Sequence, residues 1–148
     1  MTTAAARRSQ SAFRLHPQLT ADTTEVTRLG LCRVRLMNDR ALPWLVLVPQ
    51  RAGLRELYQL TRAERTQLVE ELALASEVLA ALFRPDKINI GALGNRVPQL
   101  HWHVVARFRA DRAWPNPIWG TGQSMPYGAA ERRRILHRLR SALQARWP

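Results

Sequence analysis

Two histidines, His101 and His103, stand one residue apart in the largely apolar run VPQLHWHVVARF at residues 97–108, with Gln99 two positions before the first. Side chains of an extended chain alternate between faces, so Gln99, His101 and His103 share one side while Leu100, Trp102 and Val104 share the other. Three readings suit a polar face of this kind. The plainest is a solvated strand edge. The second is a metal site, because His-x-His offers two imidazole ligands to zinc, iron or copper. Such a site needs a third and usually a fourth ligand. The only other histidines are His16 and His137, and no acidic residue lies near the motif, so no metal is expected. The third is nucleophilic: neutral imidazole attacks phosphorus, and backbone and side-chain donors hold the oxygens on which charge builds. The preceding stretch GALGNRVP supplies such donors. Gly91 and Gly94 let backbone N–H groups approach a phosphate, and Asn89, Asn95 and Arg96 add polar side chains.

The elements that must position these groups read as follows. Residues 31–37 alternate apolar residues with Cys32 and arginines, Asn38-Asp39 is turn chemistry, and residues 44–48 form a buried apolar run, which together predict a hairpin. Residues 61–83 predict the main helix. Thr61 and Glu64 make a capping-box pair, Leu68, Leu72, Ala75, Leu79 and Leu82 form one stripe, and Pro85 stops the run. KINIGALGN follows, with Ile88 and Ile90 expected inward and Asn89 and Gly91 on the opposite face, and then the histidine strand at 100–108. A loop rich in proline and glycine, holding Trp114 and Trp119, leads to a second, basic helix with Ile135, Leu136, Leu139 and Leu143 on one face. The expected class is α+β: an antiparallel sheet covered by one long helix, plus the C-terminal basic helix.

A chain of 148 residues carries one domain of ordinary size. The expected division is a mobile tail at 1–12 and a single domain at 13–148, with its core at about 31–108 and a C-terminal loop and helix at 109–148. No run is apolar enough for a membrane span, and Arg7 and Arg8 are not followed by the apolar stretch of a secretory signal, so a cytoplasmic protein is expected. Cys32 is the only cysteine, which excludes an internal disulfide and a thiolate-built zinc site. The net charge of +12 comes from basic residues that are all arginine except Lys87, a field that attracts nucleotides, RNA or acidic surfaces alike.

The stretch GNRVPQLHWHVVAR resembles the signature of the histidine triad (HIT) superfamily, in which a Gly-Gln-x-Val stretch leads into three histidines separated by single apolar residues. On that match Gly94, Asn95, Arg96 and Val97 take the loop positions, Gln99 the first histidine, His101 the second and His103 the third. The order of elements agrees over residues 31–108, with LVLVPQ where the family usually has Val-Ile-Pro-Lys. The resemblance implies a nucleotide hydrolase or transferase in which His101 attacks the α-phosphorus to form a nucleotidyl-histidine. In it His103, Asn95, Arg96 and Asn89 bind the phosphate and Gln99 supports His101. It further implies a homodimer, to which Val69, Leu74 and Val78, lying off the main helical stripe, add a second apolar face. Dinucleoside polyphosphates and nucleoside phosphoramidates are the substrates it suggests; no cofactor is required, though magnesium can accompany a polyphosphate. Gln99, Asn95 and Trp44 depart from the family pattern, Trp44 and PQRAG standing where many members carry histidines. The alternative is a nucleotide-sensing or nucleic-acid-binding module with little or no catalytic activity, using the basic helix and with Trp114 and Trp119 stacking on bases.

Overall fold

The computed structural model describes residues 12–148, so the expected tail lies outside the described residues except for Ala12. Five strands form one antiparallel sheet in the order β1-β2-β3-β5-β4: β1 Thr23–Arg28, β2 Cys32–Met37, β3 Trp44–Pro49, β4 Lys87–Gly91 and β5 Trp102–Arg107. Three helices accompany it: α1 Pro17–Asp22, α2 Arg62–Phe83 and α3 Ala129–Arg146. The α+β architecture is the expected one. Two elements are additional to the sequence reading, α1 and β1. The strand TTEVTR has a single apolar residue, Val26, buried at 1% exposure, and gives no alternation to read. That polarity suits its place at the sheet edge, where apolar strands invite aggregation.

The helix α2 starts and stops for the reasons its sequence states. Thr61 Oγ1 accepts from the Glu64 N–H at 3.2 Å, and Glu64 Oε2 accepts from the Thr61 N–H at 2.9 Å. At the other end Arg84 adopts a left-handed conformation directly before Pro85. The stripe Leu68, Leu72, Ala75 and Leu79 is buried in one cluster with Leu45 and Leu47 of β3 and Val104 and Ala106 of β5. Leu74 and Val78 are buried in the same cluster, so of the three residues expected on a second helical face only Val69 is exposed. Ile135, Leu139 and Leu143 of α3 enlarge this cluster, while Arg133, Arg134, Arg138 and Arg140 are exposed.

On β4 the expectation for Ile90 is corrected. Ile88 packs against the core, but Ile90 is 45% exposed, because β4 is an edge strand whose end no helix covers. The other face of the sheet carries a smaller cluster. Trp44, Val46 and Val48 of β3 and Val105 of β5 meet Leu19, Ala113 and Ile118, with Phe13, Leu15, Val97 and Trp119 at its margin. The central strand β3 is therefore buried along its whole length, covered by helices on one side and by the N-terminal segment and the 109–128 loop on the other.

Candidate active site

His103 lies within β5 and His101 one residue before its start. His103 is paired in register with Gly91 of β4 and with Val46 of β3. The absence of a side chain at Gly91 has a specific use: a Cβ there would stand 3.1 Å from the Trp119 ring, which packs edge-on to His103 at 5.5 Å between centroids. The two imidazoles are themselves edge to face at 5.0 Å, and each is 7% exposed.

Their hydrogen bonds assign opposite tautomers. His101 Nδ1 is 2.7 Å from the backbone carbonyl of Gln99. A carbonyl only accepts, so this nitrogen carries the proton and Nε2 keeps its lone pair. His103 Nδ1 is 2.9 Å from Trp44 Nε1. An indole nitrogen only donates, so His103 Nδ1 accepts and its proton resides on Nε2. Burial, reinforced by the neighbouring His101, lowers the His103 pKa from 6.5 to about 3 and keeps the ring neutral. The pair thus presents one basic nitrogen and one N–H donor.

A cavity of about 600 Å³ opens in front of His101. Its walls are the loop residues Leu93, Gly94, Asn95, Arg96 and Val97, the aromatic Trp119 with Gly120, and His16, Gln18 and Asp22 from the N-terminal segment. Gly94 has φ +70, a turn conformation open to glycine at little cost, and Asn95 and Arg96 beyond it are exposed along the cavity wall. His101, Asn95 and Arg96 are therefore brought together, with His103 directly behind.

Of the expected residues, His103 and Asn89 are not in the cavity lining, and Gln99 meets His101 through its backbone. Asn89 does not line the cavity: its Oδ1 accepts from Arg107 Nη1 at 2.8 Å. Arg107 is buried, pairs with Asp111 at 2.8 Å and donates to the carbonyl of Asn116, anchoring the loop that carries Trp119. The guanidinium holds the Asp111 carboxyl well below the usual carboxylate range. Gln99 supports His101 through its backbone carbonyl, while its side-chain amide turns away to bond the backbone of Arg14 and His16. The reason is the N-terminal segment, which covers this face of the sheet and engages the amide before it can reach His101.

His16, Asp22, Trp44 and Trp119 are site residues that the sequence reading left without a role there. Trp119 packs edge-on to His103 and Trp44 while also lining the cavity, and Trp114 lies with the Arg107 guanidinium 5.8 Å from its ring. Among the described residues no cluster of three or more His, Cys, Asp or Glu side chains is arranged to hold a metal ion. No helix among them is long and apolar enough to cross a membrane.

The HIT domain family model matches residues 18–110, and the chain belongs to the histidine triad family. That family is one of nucleotide hydrolases and transferases. Solved structures of histidine triad proteins agree over nearly the whole chain. One from Bradyrhizobium japonicum is 39% identical, with 90% of this chain and 99% of that one covered and a TM-score of 0.87. A histidine triad (HIT) protein from Sinorhizobium meliloti is 43% identical over 91% and 98% of the two chains at a TM-score of 0.86. A third, from Marinobacter aquaeolei, is 41% identical over 91% and 98% at 0.88. No curated protein matches the chain.

Proposed function

We propose that this protein hydrolyses or transfers at the α-phosphorus of a nucleotide derivative, with His101 as the nucleophile. The observation that carries this reading is the opposed tautomers of His101 and His103. His101 Nε2 attacks phosphorus, the bond from phosphorus to the leaving group breaks as that group takes a proton from solvent, and a nucleotidyl-imidazolium forms whose Nδ1–H still donates to the Gln99 carbonyl. That carbonyl shares the new positive charge. Water, or an acceptor in a transfer, then displaces the imidazole at phosphorus and restores the lone pair. His103 Nε2–H, the Asn95 amide and the N–H groups of the loop at Arg96 are suited to hold the non-bridging oxygens as charge accumulates on them.

Cavity charge favours one of the two expected substrate classes. Its lining holds one guanidinium, Arg96, and one carboxylate, Asp22, with a neutral His103 behind. A polyphosphate chain brings several negative charges to a surface with little excess of positive charge, whereas a nucleoside phosphoramidate brings one. We therefore favour the phosphoramidate.

The exposed apolar residues support a homodimer. Tyr58, Val69, Ile90, Leu93 and Leu57 are between 40% and 78% exposed, and β4 is an edge strand. Together they suit a contact with a second copy.

The test is intact-mass measurement after mixing the protein with adenosine 5′-phosphoramidate and quenching without acid, since a phosphorus–nitrogen bond is acid-labile. An adenylyl-sized mass increase on the wild type, absent from His101→Asn, is expected. Turnover with normal rate in His101→Asn overturns the reading.

A further inference from the structure

The residue at the first histidine position of the triad, Gln99, holds both sides of the cavity. Its carbonyl orients His101. Its side chain grips the N-terminal segment as a peptide would: Oε1 accepts from the His16 N–H at 2.9 Å, and Nε2 donates to the Arg14 carbonyl at 2.8 Å. Those bonds join positions 83 and 85 residues apart. A neutral imidazole also has one acceptor and one N–H donor, but its two ring nitrogens point in diverging directions, unlike the neighbouring oxygen and N–H of an amide, so it is a poor match for this pair. Apolar contacts complete the attachment, with Phe13, Leu15 and Leu19 entering the cluster that contains Trp44, Val46 and Val97.

The segment held in this way carries a third histidine into the site. His16 caps α1, its Nδ1 accepting from the Gln18 N–H at 3.1 Å. In the neutral ring the proton is therefore on Nε2, and His16 lines the same cavity as His101. Asp22, at the far end of α1, lines it as well.

We propose that Gln99 is a positioning residue acting through the N-terminal segment, and that His16 is a specificity-determining residue whose Nε2–H donates to the bound nucleotide. The His16 half rests on the nucleotide reading of the cavity. The half concerning Gln99 rests on geometry alone. Loss of the amide loosens the wall without unfolding the protein, since two such hydrogen bonds are a small part of the fold's stability and the apolar anchors remain.

Three variants separate the roles. Gln99→Ala removes the grip. His16→Asn keeps a competent helix cap and removes the imidazole N–H. The third combines both. The first readout is modification of His101 by diethyl pyrocarbonate, mapped by mass spectrometry, which requires an open path to a side chain only 7% exposed. Several-fold faster modification is expected in Gln99→Ala and an unchanged rate in His16→Asn. The second readout is the Kd for adenosine 5′-monophosphate. Each single variant weakens it by about tenfold, the worth of one good hydrogen bond, and the double variant weakens it no further, because Gln99 acts through His16. An unchanged modification rate in Gln99→Ala overturns the positioning role. Wild-type binding with unweakened His16→Asn, or additive losses in the double variant, overturns the role of His16. A wild-type protein that does not bind this nucleotide overturns the nucleotide reading and the His16 role with it, while faster His101 modification still upholds the positioning role of Gln99.

Discussion

The two faces of the sheet differ in what holds them together. The helical face is a continuous apolar cluster in which α2, α3 and the inward residues of four strands, from Val26 to Ala106, meet without a buried cation. The other face mixes a small apolar cluster with polar side chains most of which are engaged: Arg35 on Thr23, Trp44 on His103, Arg107 on Asp111 and Asn89, and Arg33 over the Phe13 ring, although Arg33 Nε and Trp119 Nε1 are buried without a hydrogen-bond partner. Burying polar groups costs free energy unless each is paired. The first face supplies the stability that lets the second be organised for chemistry.

The sharpest way to break this contrast is to cut into each face separately. His101→Asn removes the nucleophile and should lower turnover by about a thousandfold or more, with the urea midpoint nearly unchanged. Leu79→Ala, on the helical face, should cost about 2–5 kcal/mol of stability while the molecules that remain folded turn over normally. Steady-state kinetics and urea melts on both proteins check the pair; a swap of the two outcomes breaks the division of labour.

A smaller effect belongs to His103. Loss of its donor in His103→Asn should cost on the order of a hundredfold in turnover and leave measurable activity. The same variant has a pH signature. Because the folded ring has its pKa lowered from 6.5 to about 3, the unfolded chain takes up a proton that the folded chain refuses between those values. The stabilisation is full above pH 6.5 and is lost as pH falls towards 3. The urea midpoint of the wild type should therefore drop more steeply between pH 7 and pH 4 than that of His103→Asn.

Trp44→Phe keeps an aromatic ring against Trp119 but removes the N–H that His103 accepts. A turnover loss of about tenfold is expected, in keeping with one hydrogen bond, with a larger share in kcat than in KM. The smallest effect is expected on α3, none of whose residues lines the cavity. Arg132, Arg133 and Arg134 changed together to glutamine should leave turnover of a small nucleotide derivative within about twofold, since surface substitutions of this kind change little. A collapse of turnover with the fold intact would place α3 in the site.

What was legible in the sequence follows the same division. The stripe of α2, its Thr61–Glu64 cap and its stop before Pro85 are periodic or local signals, and the structure has them where the pattern puts them. The pairing of His101 with His103 on one face also follows from alternation. The grip of the Gln99 amide on Arg14 and His16 was not legible, because those partners lie 85 and 83 residues away in the chain. Nor was Asn89, whose amide oxygen is taken by a cation eighteen residues away. Spacing shows which polar groups share a face; it does not show which are already engaged. Trp44 reads in sequence as a departure from the family pattern, yet its indole proton sets the His103 tautomer. His16 lay outside the readable pattern altogether, reaching the cavity through an amide contact no period encodes.

The central claim is that His101 and His103 hold opposite neutral tautomers, one a base and one a donor. Nitrogen-15 NMR of the imidazole rings at neutral pH tests it directly in the unmodified protein. His101 should show a protonated Nδ1 and a bare Nε2, and His103 the reverse, with the His103 pattern lost in Trp44→Phe. The same tautomer on both rings, or a doubly protonated His103 at pH 7, would contradict the account.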